Sequence, residues 1–389
     1  MKRIYMDHGA TTPLHPEVIS VMSDVMKEVF GNPSSLHYFG REAKKYVDEA
    51  RQKVADLIGA KFEEIYFTGG GTEADNIAVF GTLYANSKKG RHIITSSVEH
   101  HAVLDSCIQL AKAGYDVTFL PVDQYGMVDP DQVKKEIRKD TVLISVMHAN
   151  NENGTIEPVE EISEIAKEHG VFFHTDCVQT VGKIPVNVDD LGADLLTLSA
   201  HKIYGPKGIG ALYKRKGVRV SPLIHGGGQE KKLRSGTENT LGIIGFGKAA
   251  ELAARDLETD NIRVKQLRDK LIQGVMEKIS DVRLNGHPEK RLPHNAHFSF
   301  AYVEGESLLL SLDMKGVAIS SGSACSSRSL QPSHVLVATG LPQELVHGSI
   351  RITLGRDNTE EDIDYVLNVL PEIVARFRSF SPLAQKKTV

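Results

Sequence analysis

Cysteine is scarce in this chain: its 389 residues contain three, Cys107, Cys177 and Cys325. An odd and low count argues against a disulfide framework and favours a reducing compartment, which points to the cytoplasm. Charge of one sign is not in excess either. The 46 Lys+Arg nearly balance the 50 Asp+Glu, a formal net charge of −4. That leaves no electrostatic footprint for nucleic acid or an anionic membrane. Long hydrophobic runs are missing, and none approaches the roughly 18 apolar residues that suggest a membrane span. The stretch Met1-Lys2-Arg3-Ile4-Tyr5-Met6-Asp7 has basic residues with no apolar run behind them, so it does not read as a signal peptide. Low-complexity tracts and internal repeats are absent as well.

What is there is ordinary for a soluble globular protein. Apolar residues make up 41% and charged residues 25%, enough for a large core, and disorder as the main state is excluded. The length suggests two or three domains. Apolar spacing predicts amphipathic helices over Val18–Phe30 and Arg41–Ile58. Compact apolar runs follow at Ile65–Thr68, His92–Thr95, Val117–Leu120, Val142–Val146, Val171–His174, Leu195–Leu198 and Gly210–Tyr213. Helical patterns separate most of them: Glu73–Leu83, Ala102–Lys112 and Val159–His169. Strands alternating with helices imply an α/β fold, a mostly parallel sheet covered on both faces. Ligands then bind beyond the carboxyl ends of the strands. A Gly-rich loop is expected over Ser221–Gly236 and a long helix over Leu241–Ile279. The chain from about residue 255 reads as a smaller α+β unit, with a strand at Asn295–Phe300 and helices at Glu306–Leu312 and Glu361–Phe377. Pro371 is expected to kink or split the last helix.

Six stretches carry candidate chemistry, each with a plain structural alternative. Thr68-Gly69-Gly70-Gly71-Thr72-Glu73 joins a strand to a helix and can cradle an anion, although any tight turn favours Gly. Glu99-His100-His101 follows a strand; adjacent histidines diverge on a helix and make a poor metal pair, so no metal site is expected. His148-Ala149-Asn150-Asn151-Glu152 is a turn composition that can also offer amide donors. Asp176, at the end of a buried run, needs a partner or serves as a helix N-cap; Gln179 reaches the same place if a helix begins at Asp176. Lys202, in Ser199-Ala200-His201-Lys202, stands at a sheet edge between an apolar run and a Gly-Pro loop. Burial there would make its amine nucleophilic. Cys325 lies among small residues, Ser320 to Arg328, with nothing large enough to bury it, whereas Cys107 and Cys177 fit as packing residues.

Taken together these strings resemble the cysteine desulfurases of the NifS/IscS type, pyridoxal-phosphate enzymes of the class V aminotransferase fold. The resemblance runs almost end to end. It includes Tyr5-Met6-Asp7, Ala10-Thr11-Thr12-Pro13, Gly31-Asn32-Pro33-Ser34-Ser35, His225-Gly226-Gly227-Gly228-Gln229-Glu230, Arg234-Ser235-Gly236-Thr237, Gly322-Ser323-Ala324-Cys325 and Arg351-Ile352-Thr353-Leu354-Gly355-Arg356. The order of all of them is what makes it specific. His8-Gly9, Gly69 and Cys177 depart from the usual pattern without removing a catalytic group, and Cys177, beside Asp176, is a candidate to touch the cofactor's surroundings.

The resemblance implies an aminotransferase-like fold of type I. Its large domain, 16–254, has a seven-stranded mostly parallel sheet, and a small domain, 255–389, carries the cysteine loop. Residues 1–15 are implied to associate with the small domain. Lys202 matches the lysine that bonds to pyridoxal phosphate and later moves the Cα proton. Asp176 matches the carboxylate paired with the ring nitrogen, His100 the imidazole stacked on the ring, and Gln179 the donor to its phenolic oxygen. Gly71, Thr72, Ser199 and His201 match phosphate ligands. Thr237 matches a phosphate contact from a second subunit, hence a homodimer. Asn151 and Arg351 match the groups that bind the substrate carboxylate, and Cys325 the thiol that takes sulfur from L-cysteine as L-alanine forms. The sulfur acceptors implied are an iron–sulfur scaffold protein or a tRNA-thiolation enzyme. A selenocysteine lyase or another enzyme of the same fold is the nearest rival, and a non-catalytic sulfur-relay adaptor the rival from another class. Cys325 speaks against a transaminase, and Lys202 together with Cys325 against the adaptor.

Overall fold

The computed structural model describes residues 3–321 and 332–382. In chain order the strands are β1 (Ile4–Tyr5), β2 (Ile65–Thr68), β3 (His92–Ser96), β4 (Asp116–Leu120), β5 (Thr141–Ser145), β6 (Phe172–Asp176) and β7 (Leu195–Ser199). They continue with β8 (Gly210–Lys214), β9 (Val282–Leu284), β10 (Asn295–Phe300), β11 (Val317–Ala318), β12 (Ser320–Ser321) and β13 (Ser349–Thr353). The seven apolar runs become β2 to β8, one sheet in the order β2-β8-β7-β6-β5-β3-β4. Its strands are parallel except β8, which is antiparallel to both neighbours. β2, β3, β5 and β7 are buried along their whole length, as continuous apolar strands covered by helices on both faces must be.

A second, antiparallel sheet runs β12-β13-β10-β9, and β1 pairs in parallel with β11. Only β10 of these was expected. β9, β11 and β12 are two or three residues long, too short for an alternation to register, and the alternating Ser-Ile-Arg-Ile-Thr of β13 is buried on both faces. The 39-residue helix Thr240–Lys278 joins the two parts. Ile243, Phe246, Ala249 and Leu252 pack into the core of the large sheet. Val264, Leu267, Leu271 and Val275 pack with Ile4, Met6, Phe298 and Ile352 into the second core.

Pro371 does not split its helix, which runs unbroken over Glu360–Phe380. Proline cannot donate to the carbonyl four residues earlier, but the carbonyl of Leu367 accepts instead from Lys278 Nζ at 3.2 Å. An outside donor thus satisfies the group that would otherwise open the helix. Among the described residues no helix is long and apolar enough to cross a membrane.

Candidate active site

Six parallel strands end on one edge of the large sheet, and the residues after five of them build the site. β2 leads into Gly69-Gly70-Gly71, where a helical segment begins. Its first backbone bond runs from the Ala74 N–H to the Gly70 carbonyl at 3.2 Å, which leaves the preceding N–H groups at the mouth of a cleft. Gly70 has φ +154°, and a Cβ at Gly71 would lie 2.9 Å from Val178 Cγ2, so this turn requires glycine. The cleft has a volume of about 850 Å³ and is lined by Gly71, Thr72, Ser199 and His201, together with Ala10 and Thr11. The four expected phosphate ligands are therefore brought together.

Asp176 closes β6 and is buried, with Oδ1 accepting from the Val178 N–H at 2.8 Å. No helix begins there, contrary to the condition set for Gln179. Residues 178–183 form turns, because the Asp176 carboxylate takes the Val178 N–H and both Thr180 and Val181 bond back to the Cys177 carbonyl. Gln179 reaches the site all the same, donating from Nε2 to the Gly9 carbonyl at 3.1 Å. Lys202, in the turn after β7, donates from Nζ to the same carbonyl at 2.6 Å and to that of Ala10 at 2.7 Å. Burial raises the Asp176 carboxyl to about 6, and the Lys202 charge opposes the rise.

His100 caps the helix His101–Lys112, its Nδ1 accepting from the Ala102 N–H at 3.1 Å. Burial first, then the Lys202 cation, push its imidazole down to about 4. It is neutral at pH 7, and with Nδ1 accepting, its proton sits on Nε2. His201 bonds Thr11 Oγ1 at 3.1 Å through Nδ1 and is lowered to about 4, again by burial and then Lys202.

Across the cleft mouth, Arg351 on β13 is 1% exposed. Nη1 donates to the Asn151 carbonyl at 2.7 Å, and Nη2 pairs with Asp7 Oδ1 at 3.2 Å. Asn151 thus meets Arg351 through its backbone. Asn150 spends its own side chain on the turn, Nδ2 donating to the Val98 carbonyl and Oδ1 accepting from the Glu152 and Asn153 N–H groups. Thr237 is exposed and lies outside the cleft lining. Cys325, with Gly322, Ser323 and Ala324, lies outside the described residues. The flanks of that stretch are near Arg351: Ser320 is opposite Arg351 in the β12–β13 ladder, and Ser333 bonds Glu152. Cys107 and Cys177 are buried free thiols. Burial raises Cys107 to about 12 and pushes Cys177 up as well. Cys177 packs in the main core, its Sγ 3.7 Å from His148 Nδ1.

Residue reading missed Asp7, whose contact with Arg351 spans 344 positions. It also missed a row of buried acids beneath the strand ends: Asp75, Glu99, Glu152 and Glu157. Asp7, Glu99 and Glu152 stood in quoted strings without being given a role, whereas Asp75 and Glu157 carried no signal.

With this geometry in view, residues 4–366 match the class V aminotransferases. The chain belongs to that family, which uses pyridoxal phosphate. A cysteine desulfurase IscS of Dictyoglomus turgidum is 60% identical over 387 residues, 99% of this chain and 98% of the relative. Another, of Methanosarcina thermophila, is 56% identical over 386 residues, 99% and 95% of the two chains. Among solved structures, a NifS-like protein superposes with a TM-score of 0.90 at 39% identity, covering 96% of this chain and 99% of that one. SspA, solved in complex with cysteine, gives 0.81 at 37%, covering 90% and 99%. Within the family, the chain is of the NifS/IscS cysteine desulfurase type.

Proposed function

We propose that this chain converts L-cysteine to L-alanine and passes the sulfur to Cys325 as a persulfide. One observation carries the reading: Lys202, Asp176, His100 and Gln179 converge at one sheet edge beside a cradle of Gly71, Thr72, Ser199 and His201.

The donor set suits pyridoxal phosphate. Hydroxyls and helix-start N–H groups line an open cleft for the phosphate, and a buried carboxylate lies deeper for the ring nitrogen. The Lys202 amine lies against the Gly9 and Ala10 carbonyls, the latter residue lining the cleft. Thr237 of a second copy would complete the phosphate site in a homodimer. When bound, the cofactor supplies an electron sink for the substrate's Cα. Asp176 keeps the ring nitrogen protonated and Gln179 donates to the phenolic oxygen. Arg351 holds the substrate carboxylate through a bidentate pair, aided by Asn151. Lys202 would move the proton at Cα, and the neutral His100 would help hold the ring and shuttle a proton at Nε2. The Cys325 thiolate attacks the substrate sulfur: an S–S bond forms, the Cβ–S bond breaks, and its electron pair stays on carbon. A proton then completes the methyl group of alanine. The persulfide is handed to an iron–sulfur scaffold or a tRNA-thiolation enzyme in the cytoplasm.

The same reading divides the chain into 16–254 and 255–389, with 1–15 joining the latter. Two separate cores support it, and Ile4 and Met6 sit in the second. The boundary at 254/255 falls inside the Thr240–Lys278 helix.

The test is incubation of the purified protein with L-cysteine, following alanine and the mass of the Cys325 peptide. Alanine without added sulfur on Cys325 would remove the thiol from the mechanism. Lys202→Ala is expected to lower turnover by at least about 10²-fold and to alter the cofactor's visible absorption; an unaltered spectrum would count against Lys202.

A further inference from the structure

Beneath Asp176 lies a second carboxyl that the reaction does not use. Asp75 is on the helical segment after β2, 1% exposed. One ligand atom from each of Asp75, His100 and Asp176 falls within 4.8 Å of the others. The hydroxyl of Thr197, on β7 opposite Asp176 in the ladder, lies against the Asp75 carboxyl. His174, two residues before Asp176 on β6, places Nε2 3.6 Å from Asp75 Oδ1 and 3.1 Å from Thr197 Oγ1, and Nδ1 2.8 Å from Ser145 Oγ. Glu99 is the other acid acting on Asp75, and Lys202 the cation acting on Asp176.

Two carboxyls this close in a buried site do not both ionise. The charge settles on the one with better support. Asp176 has the Val178 N–H and Lys202. Asp75 has a hydroxyl and an imidazole that burial keeps neutral, pushed down to about 3. Burial, then Asp176, hold the Asp75 carboxyl well above the usual carboxylate range.

We propose that Asp75 is a positioning residue for the cofactor: as a neutral acid bonded to Thr197, with His174 beside it, it closes the floor of the site and leaves Asp176 as the anion facing the ring. The inference rests on the reading of Asp176 as the partner of the ring nitrogen. A neutral group there keeps water from Asp176, so that its field acts on the ring undiluted, and adds no second negative charge to raise its pKa.

Pyridoxal phosphate titrated into apoprotein tests it, with the Kd and the acid-side midpoint of the bound cofactor's visible absorption as readouts. Asp75→Ala is expected to weaken binding at least tenfold and to move the midpoint. Asp75→Asn, the conservative neutral variant, should restore both towards the wild-type values. Equal damage from Ala and Asn would mean that Asp75 acts as a second anion, and no change in either would mean that it fills space only; both outcomes overturn the inference. Should Asp75→Ala fail to fold, Thr197→Val removes the hydroxyl, keeps the shape and is expected to show the same two changes; wild-type behaviour in that variant would overturn the inference. A wild-type protein that binds no cofactor would sink the underlying reading as well, which distinguishes the two failures.

Discussion

Arg351 is sealed inside the protein with Asp7 on one nitrogen and a backbone carbonyl on another. A guanidinium so held presents a fixed fork, which lysine cannot imitate. Arg351→Lys is therefore expected to raise KM for L-cysteine by about 10–100-fold, the worth of a charge-assisted hydrogen bond, with a smaller effect on kcat. Steady-state kinetics check this, and an unchanged KM would move carboxylate binding elsewhere. At this scale the sequence is legible where chemistry coincides with a strand end, as at Asp176 and Lys202. It is illegible where a partner comes from far along the chain, as with Asp7 and Arg351, or where a buried acid such as Asp75 has no local pattern to mark it.

Elements were easier to read than their contacts. The apolar runs of the large sheet announce themselves because both faces are covered. The helix through Pro371 is not split because the Leu367 carbonyl finds its donor in Lys278, on another helix. That repair is measurable. Lys278→Met should cost about 1 kcal/mol, the usual worth of one hydrogen bond. In a Pro371→Ala background the Leu367 carbonyl regains a backbone donor, and the same substitution should cost much less. A double-mutant cycle by urea unfolding reads the difference, and equal costs in both backgrounds would refute the repair. After Asp176 the helix on which Gln179's reach is made conditional does not form: the aspartate carboxylate takes the Val178 N–H and turns follow, yet Gln179 still reaches the site.

For the whole molecule, buried titrating groups set the dependence of stability on pH. Burial raises Glu99 to about 8 and Glu152 to about 7. Between their ordinary values near 4.5 and these raised ones, the unfolded chain releases protons that the folded chain keeps, so stability falls as pH rises. Burial lowers His92 and His148 to about 4 and His297 to about 3. Below about 6.5 the unfolded chain gains protons that the folded chain refuses, so stability falls as pH drops. Well above 6.5 the histidines no longer contribute and the acids dominate, opposed only as pH nears 8 by Lys183, which burial lowers to about 8. The urea midpoint is expected to fall from pH 6.5 to 8, by up to the order of 1 kcal/mol per pH unit for each acid. Glu99→Gln should flatten that slope, and a slope parallel to the wild type would show that Glu99 ionises freely.

The same long view applies to synthesis. Ile4 and Tyr5 pair with Val317 and Ala318, and Asp7 to Gly9 are gripped by Thr353 and Arg351. Asp7 must therefore wait for a residue 344 positions later before it finds its partner. Until then the carbonyls of Gly9 and Ala10 have no fixed place from which to meet Lys202. The large sheet can assemble during translation, but the site matures only once β13 has been made, so a nascent chain that stops short of it would carry the lysine without the setting that makes it useful.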